Sequence, residues 1–385
     1  MIENAYKHAI LVLEACAKKT GFYASGLPGG YGATWARDSM ITSLGASLVD
    51  KKFREPFRKS LELLAKHQSP LGNIPNAVGS YNTERQSDVT FNSIDAPLWY
   101  IISHHVYKNA YSDASLLKKY RKSIDAAKLW LRYQDPNEDG LIVQQPTMDW
   151  QDAFPHKYGR VLSTQALHYL ALKLDGDDQR AEHIKKIVNG ETEKYLAMYE
   201  PRLGYYLPWR WKAHNEIKEQ GYWFDTFGNL MAILSGLATP RIAKSILAHI
   251  EKQEIDKPFP CKAIYPPLKR GSRDWQDYFE DCEAREPFHY LNAGIWPFIG
   301  GFYVAALVKM GHSAKAEKAL EKLAGANRKG NPNPDAVGTD AWGFQEWLDG
   351  KTGEPIGGSN PYQAWSAGMY VFAYECVRRK KVLFF

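Results

Sequence analysis

Apolar residues along this chain recur mainly three or four residues apart, the spacing of an amphipathic helix, and strand-like alternation is sparse. This pattern predicts an all-α protein of about twelve helices. We place them at residues 2–19, 36–50, 54–68, 92–109, 115–134, 160–174, 178–199, 226–237, 239–253, 291–310, 312–324 and 361–378.

The predicted helices are joined alternately by tight turns and by long loops rich in glycine, proline and tryptophan. The long loops cover residues 20–35, 70–91, 135–159, 200–225, 254–290 and 325–360. Long loops that alternate with helix pairs fit a closed ring of helical hairpins, an (α/α)6 barrel. In such a ring the long loops emerge on one face, where a site can form.

No charged or Gly/Ser-rich linker interrupts this alternation, so we expect a single catalytic domain over residues 1–385. A tandem helical-repeat binding protein is the structural alternative. It is disfavoured because no repeat of fixed length is visible and because the unusual chemistry lies in the loops.

Charge and cysteine usage exclude several classes of function. The net charge is +6, but basic and acidic residues are interleaved without a basic stripe, so no nucleic-acid partner is expected. Four scattered cysteines lack the spacing of metal ligands, and we predict neither a metal nor another cofactor. The chain shows no signal-peptide pattern and no apolar run of membrane-spanning length, which predicts a cytoplasmic protein without a membrane partner. The oligomeric state is left open.

Aromatic residues make up 13% of the chain, including 12 tryptophans, and several lie beside carboxylates in predicted loops. Asp149 and Asp152 flank Trp150, and far along the chain Glu346 precedes Trp347. Two carboxylates brought together from distant loops are the minimum equipment for hydrolysing a glycosidic bond. One must be protonated to donate to the leaving oxygen, and the other must be ionised to activate water. Indole faces suit the apolar faces of a sugar ring.

The two aspartates allow different interpretations. Either one could cap the helix that begins near residue 160. For Asp149, capping or substrate binding competes with catalysis, whereas for Asp152 we favour catalysis. Glu346 would be an ordinary solvated loop residue if it stood alone, but aromatic residues surround it, and Gln363 and Trp365 follow at the start of the last helix.

Three further patches combine polar and aromatic residues at predicted loop-to-helix junctions. Trp35 precedes Arg37 and Asp38, which could form a structural ion pair or bind adjacent sugar hydroxyls. Asp95 lies one helical turn before an indole, and the segment Tyr290–Pro297 joins an amide, two small residues and another indole. A barrel would gather all of these junctions on one face.

Short motifs resemble known families. Tyr31–Met40 and Asn92–Ile101 resemble segments of the glucosidase domain of glycogen-debranching enzymes. Other segments are similar to the alkaline/neutral invertases, namely Phe227–Pro240, Tyr290–Pro297 and Gln345–Lys351. The tetrapeptide Asp149-Trp-Gln-Asp152 is similar to the Asp-Trp-Asn-Asp of cellobiose-phosphorylase-type barrels. All of these families are (α/α)6 six-hairpin glycosidases, and the resemblance touches nearly the whole chain.

The resemblance implies roles for individual residues. Asp152 matches the general acid, because its spacing to Leu162–Gln165 fits the invertase pattern, with Asp149 as the fallback. Glu346 matches the general base. The remaining predicted site residues would bind substrate: Trp35, Arg37, Asp38, Asp95, Trp99, Trp150, Asn292, Trp296, Trp342, Gln363 and Trp365.

Two departures from these families bear on the substrate. Invertases carry His-Asn-Gly-Gly where this chain has Leu291-Asn-Ala-Gly294, which argues against sucrose. Debranching enzymes carry an extra N-terminal domain for long glucans, and the expected absence of one argues against glycogen. We therefore predict an inverting glycoside hydrolase that releases glucose from a small α-glucoside or a glucan chain end. The alternatives are a sucrose-cleaving invertase and, from another class, a non-catalytic carbohydrate-binding or helical scaffold protein.

Overall fold

The computed structural model describes residues 1–27, 31–79, 87–192, 194–214, 217–330 and 342–385. Within these residues the chain forms thirteen α-helices: α1 (Ile2–Cys16), α2 (Ala36–Val49), α3 (Arg54–Lys66), α4 (Asp95–Tyr111), α5 (Ser115–Lys119), α6 (Arg121–Arg132), α7 (Leu162–Leu174), α8 (Asp178–Asn189), α9 (Thr226–Ser235), α10 (Pro240–Lys252), α11 (Pro297–Lys309), α12 (Ser313–Asn327) and α13 (Ala364–Arg379). Short 3₁₀ helices cover Lys51–Phe53, Asp277–Asp281 and Glu283–Arg285.

Alternate helices form a closed inner ring. Helices α2, α4, α7, α9, α11 and α13 each pack against the next, and α13 packs against α2 to close the circle. The outer layer consists of α1, α3, α5 with α6, α8, α10 and α12, and most of these pack against the inner helix that follows or precedes them in the chain. The predicted (α/α)6 barrel is confirmed. Helices α5 and α6 together occupy the span of the single helix predicted at residues 115–134.

The two layers differ in sequence because they differ in burial. Inner helices such as α11 and α13 are buried on nearly every side, and α11 is apolar all round until its final Lys309, as expected for a core helix. Outer helices such as α6 and α10 bury only one stripe. The ring closes where α2 and α13 approach through Gly45 and Gly368. A Cβ atom on Gly45 would lie 1.7 Å from the carbonyl oxygen of Gly368, so this contact requires glycine.

Several predicted helix boundaries were wrong. Two inner helices begin later than predicted, because the chain first crosses the loop face. Helix α7 starts at Leu162 after a short strand, and α11 starts only at Pro297, which suits the first helical position. Helix α8 ends at Asn189, before Gly190 with φ of 77°, rather than at residue 199.

Twelve short strands in the described residues lie almost entirely in the loops, and sequence periodicity did not reveal them. They are β1 (Ala17–Lys18), β2 (Gly21–Phe22), β3 (Thr34–Trp35), β4 (Ala77–Val78), β5 (Val89–Thr90), β6 (Arg160–Val161), β7 (Tyr199–Glu200), β8 (Tyr205–Tyr206), β9 (Trp209–His214), β10 (Ile217–Gln220), β11 (Phe224–Asp225) and β12 (Ile264–Tyr265). All of their pairings are antiparallel.

Backbone pairing joins each long loop to its neighbour. Strands β3, β4 and β5 link the first two loops, β6 and β9 link the third to the fourth, and β11 with β12 links the fourth to the fifth. Isolated backbone hydrogen bonds and bridges join the other neighbours, among them Ile94 N to Met148 O (2.7 Å), Ile295 N to Leu348 O (2.8 Å) and Ala364 N to Ala24 O (2.9 Å). The long loops therefore meet around one end of the inner ring. Parts of the predicted loops lie outside the described residues, at 28–30, 80–86, 215–216 and 331–341.

A search of the described residues found no helix with both the length and the apolar character that a membrane crossing requires.

Candidate active site

A pocket opens on the loop face, at the N-terminal ends of the inner helices. Its walls come from four of the long loops and from the first turns of α2 and α13. The lining residues are Tyr31, Trp35, Arg37, Asp38, Trp150, Asp152, Tyr290, Trp296, Glu346 and Trp365.

Three indoles form a packed aromatic wall. The ring centroid of Trp296 lies 5.5 Å from that of Trp150 and 5.8 Å from that of Trp365, in edge-to-face geometry. The indole nitrogen of Trp296 donates to the carbonyl oxygen of Tyr290 at 3.0 Å, which fixes the orientation of its ring. These contacts give the pocket rigid apolar surfaces against which a sugar ring can pack.

Arg37 connects two acidic residues at the edge of the pocket. Its Nη1 donates to both carboxylate oxygens of Asp95, at 3.1 and 3.3 Å, and its Nη2 lies 3.4 Å from Oδ2 of Asp152. The Arg37 side chain is only 8% exposed, whereas that of Asp152 is 40% exposed. The carboxyl group of Asp152 is therefore accessible to a ligand while it is paired with Arg37.

Glu346 lies on the loop before α13 and is 6% exposed. Its backbone nitrogen donates to the carbonyl oxygen of Asn360 at 2.8 Å, and the hydroxyl of Tyr31 lies 3.5 Å from its Oε1. Burial, followed by the charges of Asp38 and Asp152, raises the pKa of Glu346 to about 8. A carboxyl group that titrates near neutrality is suited to proton transfer.

The other two pocket carboxyls also titrate above their usual range. Burial raises the pKa of Asp38 to about 6, although Arg37 opposes the shift. The pKa of Asp152 is also raised, because its place among the pocket walls removes part of its solvation although its side chain stays 40% exposed, and Arg37 again opposes the shift. Three carboxyls thus share the positive charge of one arginine that Asp95 already engages, so the pocket favours retention of a proton.

Asp149, the fallback candidate for the acid, lies outside the pocket lining. It accepts hydrogen bonds from the backbone nitrogen of Gln151 (2.9 Å) and the hydroxyl of Ser163 (3.2 Å). Its Oδ2 also lies 2.8 Å from Nζ of Lys157, whose side chain is 0% exposed and which approaches Asp225 at 3.7 Å. These contacts anchor the loop that carries Asp152, which corrects the expectation that Asp149 is available to substrate.

Replacing Lys157 by Met tests this anchoring role. The substitution leaves Asp149 and Asp225 buried without their cation, so we expect the free energy of unfolding to fall by about 3–5 kcal/mol. Urea denaturation measures the loss. Lys173→Met is the matched control, because Lys173 pairs with Asp178 on the surface and its removal should cost about 1 kcal/mol or less. Equal stability of the two variants would show that the buried pair does not hold the loop.

Five predicted substrate-binding residues also lie outside the lining. Asp95 is behind Arg37 rather than in the pocket. Trp99 is fully buried in the barrel core, and Trp342 stacks on His8 with ring centroids 5.2 Å apart. Gln363 is 1% exposed and does not reach the pocket. These side chains were predicted to contact a sugar, but they do not line the pocket.

Asn292 is the fifth of these residues, and its role is structural. The side-chain oxygen accepts from the nitrogen of Leu268 at 2.8 Å, and the side-chain nitrogen donates to the carbonyl oxygens of Leu268 (3.0 Å) and Ala284 (2.9 Å). It thereby ties together the long loop before α11. The adjacent Leu291 is fully buried in the core. The leucine that stands in place of the invertase histidine therefore does not remove a polar group from the pocket. This weakens the argument against sucrose.

Tyr31 and Tyr290 also line the pocket, although neither was predicted as a site residue. Tyr290 has φ of 44°, a left-handed conformation that non-glycine residues adopt rarely and often at functional sites. Both residues belong to motifs with family resemblance, and their tyrosine hydroxyls could have been recognised as hydrogen-bonding groups for a sugar.

Among the described residues, no cluster of three or more His, Cys, Asp or Glu side chains has a geometry that could hold a metal ion.

Two family models match separate halves of the chain. A model for amylo-α-1,6-glucosidase matches residues 11–194, and a model for alkaline and neutral invertase matches residues 212–379. The resemblance predicted from short motifs is confirmed. Asp152 lies in the first matched segment and Glu346 in the second.

Curated relatives include several plant invertases. Neutral/alkaline invertase 1, mitochondrial, of Oryza sativa subsp. japonica is 32% identical over 185 residues, which cover 47% of this chain and 26% of that protein. Cytosolic invertase 1 of the same rice is 31% identical over 155 residues, covering 39% of this chain and 25% of that protein. The chain thus spans about a quarter of the length of these relatives.

Solved structures share the fold over almost the whole chain. A GH63 mannosylglycerate hydrolase from Thermus thermophilus, in complex with Tris and D-glycerate, has a TM-score of 0.72 at 14% identity and covers 95% of this chain and 99% of that chain. A rhamnosidase from Klebsiella oxytoca with rhamnose bound has a TM-score of 0.65 at 15% identity, covering 97% of this chain and 63% of that chain. The predicted six-hairpin barrel is confirmed.

Proposed function

We propose that this protein is an inverting glycoside hydrolase that releases glucose from a small α-glucoside or a glucan chain end. The observation that carries the proposal is that Asp152 and Glu346, from two distant loops, line one pocket walled by tryptophans. A non-catalytic carbohydrate-binding protein needs aromatic rings, but it does not need two carboxyls with raised pKa values in the same pocket.

In the proposed reaction Asp152 gives a proton to the glycosidic oxygen while Glu346 takes one from an attacking water. Water enters on the side of the sugar opposite the leaving group, so the anomeric configuration inverts. This geometry requires the carboxyl groups to be roughly 6.5–9.5 Å apart, which leaves room for the water. Arg37 and Asp38 would bind the sugar hydroxyls, and Trp150 and Trp296 would pack against the ring.

The rate should depend on pH as a bell-shaped curve. Hydrolysis needs one proton on the pair formed by Asp152 and Glu346. Above about pH 8 both are ionised and the acid is lost, whereas at low pH both are protonated and the base is lost. We expect kcat/KM to fall on the alkaline side near pH 8. A rate that keeps rising well above pH 8 on a substrate with a poor leaving group would contradict this assignment.

Sucrose is the second candidate substrate, because the curated relatives that match include invertases and the invertase model covers the segment around Glu346. Incubation with maltose, isomaltose, trehalose, glucosylglycerate and sucrose, followed by measurement of released glucose, separates these possibilities. Cleavage of sucrose alone would favour the invertase alternative. No cleavage of any glycoside would favour the non-catalytic alternative.

The proposal includes a cytoplasmic location. Some matching relatives are named cytosolic and others mitochondrial or chloroplastic, so fractionation of cells that express the tagged protein is the direct test.

A further inference from the structure

Arg37 presents a difficulty for the proposed mechanism. An arginine beside a carboxyl favours the ionised form, yet the proposed acid must carry a proton before it can donate one. Nη2 of Arg37 lies 3.4 Å from Oδ2 of Asp152. Another group must therefore weaken the interaction between Arg37 and Asp152.

We propose that Asp95 is a positioning residue whose negative charge occupies Arg37 and so leaves Asp152 free to carry the proton that it donates. The inference rests on the proposed function, because it concerns the acid of that reaction. Asp95 acts through Arg37 and does not itself touch the substrate.

Arg37 contacts Asp95 more closely than it contacts Asp152, as this role requires. Nη1 makes two contacts with Asp95, at 3.1 and 3.3 Å, whereas Asp152 receives one longer contact from Nη2. Asp95 is 2% exposed, so its interaction with Arg37 is little screened by water. The exposed carboxyl is consequently the weaker partner of the arginine.

Further contacts hold the side chain of Asp95 in place. It is the first residue of α4, where its carboxylate faces the positive end of the helix dipole, and the hydroxyl of Ser93 donates to its Oδ1. These contacts fix the carboxylate beside the guanidinium group of Arg37.

Other charged groups also influence Asp152. Those that face it are Arg37 and Asp38 from α2, Asp95 from α4, Asp149 from its own loop, Glu346 from the loop before α13, and the hydroxyls of Tyr31 and Tyr290. Arg37 is the only cation among these described neighbours, so it is the group that opposes a proton on Asp152.

Asp95→Asn tests the proposal, since it keeps the shape of the side chain and removes its charge. Arg37 then pairs with Asp152, and we expect the pKa of Asp152 to fall by about 1–3 units. Only the form with the proton on Asp152 is active, so kcat/KM at the optimum should fall by about 10- to 1,000-fold on a substrate with a poor leaving group. The acidic limb should move to lower pH, and the alkaline limb, set by Glu346, should stay.

Two further measurements separate this role from a structural one. Glucosyl fluoride needs no proton on its leaving group, so Asp95→Asn should hydrolyse it at nearly the rate of the wild type. Carbon-13 NMR titration of aspartate carboxyls, assigned by difference against Asp152→Asn, reports the pKa of Asp152 without requiring any activity.

Asp139→Asn is the matched control, because Asp139 forms a buried ion pair with Arg160 outside the pocket. It should lower stability without moving the titration of Asp152. If Asp95→Asn behaves like this control, with an unchanged pKa of Asp152 and an equal loss on both substrates, the inference is overturned. Failure of the wild type to hydrolyse any glycoside would instead overturn the proposed function.

Discussion

Replacing Glu346 by Gln should lower kcat for glycoside hydrolysis by about 100- to 10,000-fold, the usual contribution of a general base. The amide keeps the size of the side chain and its place in the pocket, but it cannot take a proton from water. The loss should be equally large on glucosyl fluoride, because departure of fluoride still requires an activated water. Steady-state kinetics on both substrates measures the effect.

The control for this variant is Glu354→Gln. Glu354 lies on the same long loop, but it is exposed and pairs with Lys329 away from the pocket. It should hydrolyse both substrates at the rate of the wild type. Unchanged hydrolysis by Glu346→Gln would remove Glu346 from the mechanism.

Replacing Asp152 by Asn should slow hydrolysis strongly for substrates whose leaving group needs a proton, and much less for those whose leaving group does not. On an unactivated disaccharide we expect kcat to fall by about 100- to 10,000-fold, because the leaving oxygen is no longer protonated. On glucosyl fluoride the loss should be far smaller. In the wild type, hydrolysis of the fluoride should rise with pH as Glu346 ionises near pH 8, without the alkaline decline expected for the disaccharide.

This comparison also decides which carboxyl is the acid. In the free pocket the proton favours Glu346, which is buried between like charges, rather than Asp152, which contacts Arg37. The proposed reaction proceeds from the less populated arrangement, with the proton on Asp152. If Glu346→Gln spares the fluoride and Asp152→Asn abolishes both reactions, the two roles must be exchanged.

The barrel could be predicted from sequence because its two kinds of connection differ in composition. Tight turns within hairpins and long aromatic loops between them alternate regularly, and this alternation gives the ring. The short strands could not be predicted, because ladders such as Thr34–Trp35 with Ala77–Val78 pair residues from different loops and are too short to show alternation.

The site residues could be predicted only in part. Whether a side chain lines the pocket depends on the direction in which it points as well as on its position in the chain. Asp95 and Trp99 lie one turn apart on α4, and that turn places Trp99 below the loop face, in the core. Asn292 has the amide of a sugar-binding residue, but backbone groups of Leu268 and Ala284 satisfy it. Such partners come from distant parts of the chain and carry no local pattern.

The same limit applies to Asp149 and Asp152. From spacing alone, each aspartate had a plausible catalytic role. The buried Lys157 distinguishes them, because it draws Asp149 away from the pocket. A lysine eight residues downstream of a carboxylate gives no indication in sequence that the two side chains will meet.

The anomeric form of the first product tests the central claim most directly. Proton NMR during the first minutes of hydrolysis, before mutarotation, distinguishes α-glucose from β-glucose. If Glu346 directs water to the face opposite the leaving group that Asp152 protonates, an α-glucoside should release β-glucose first. Initial release of α-glucose would contradict the account, because it would require a covalent intermediate or attack from the other face.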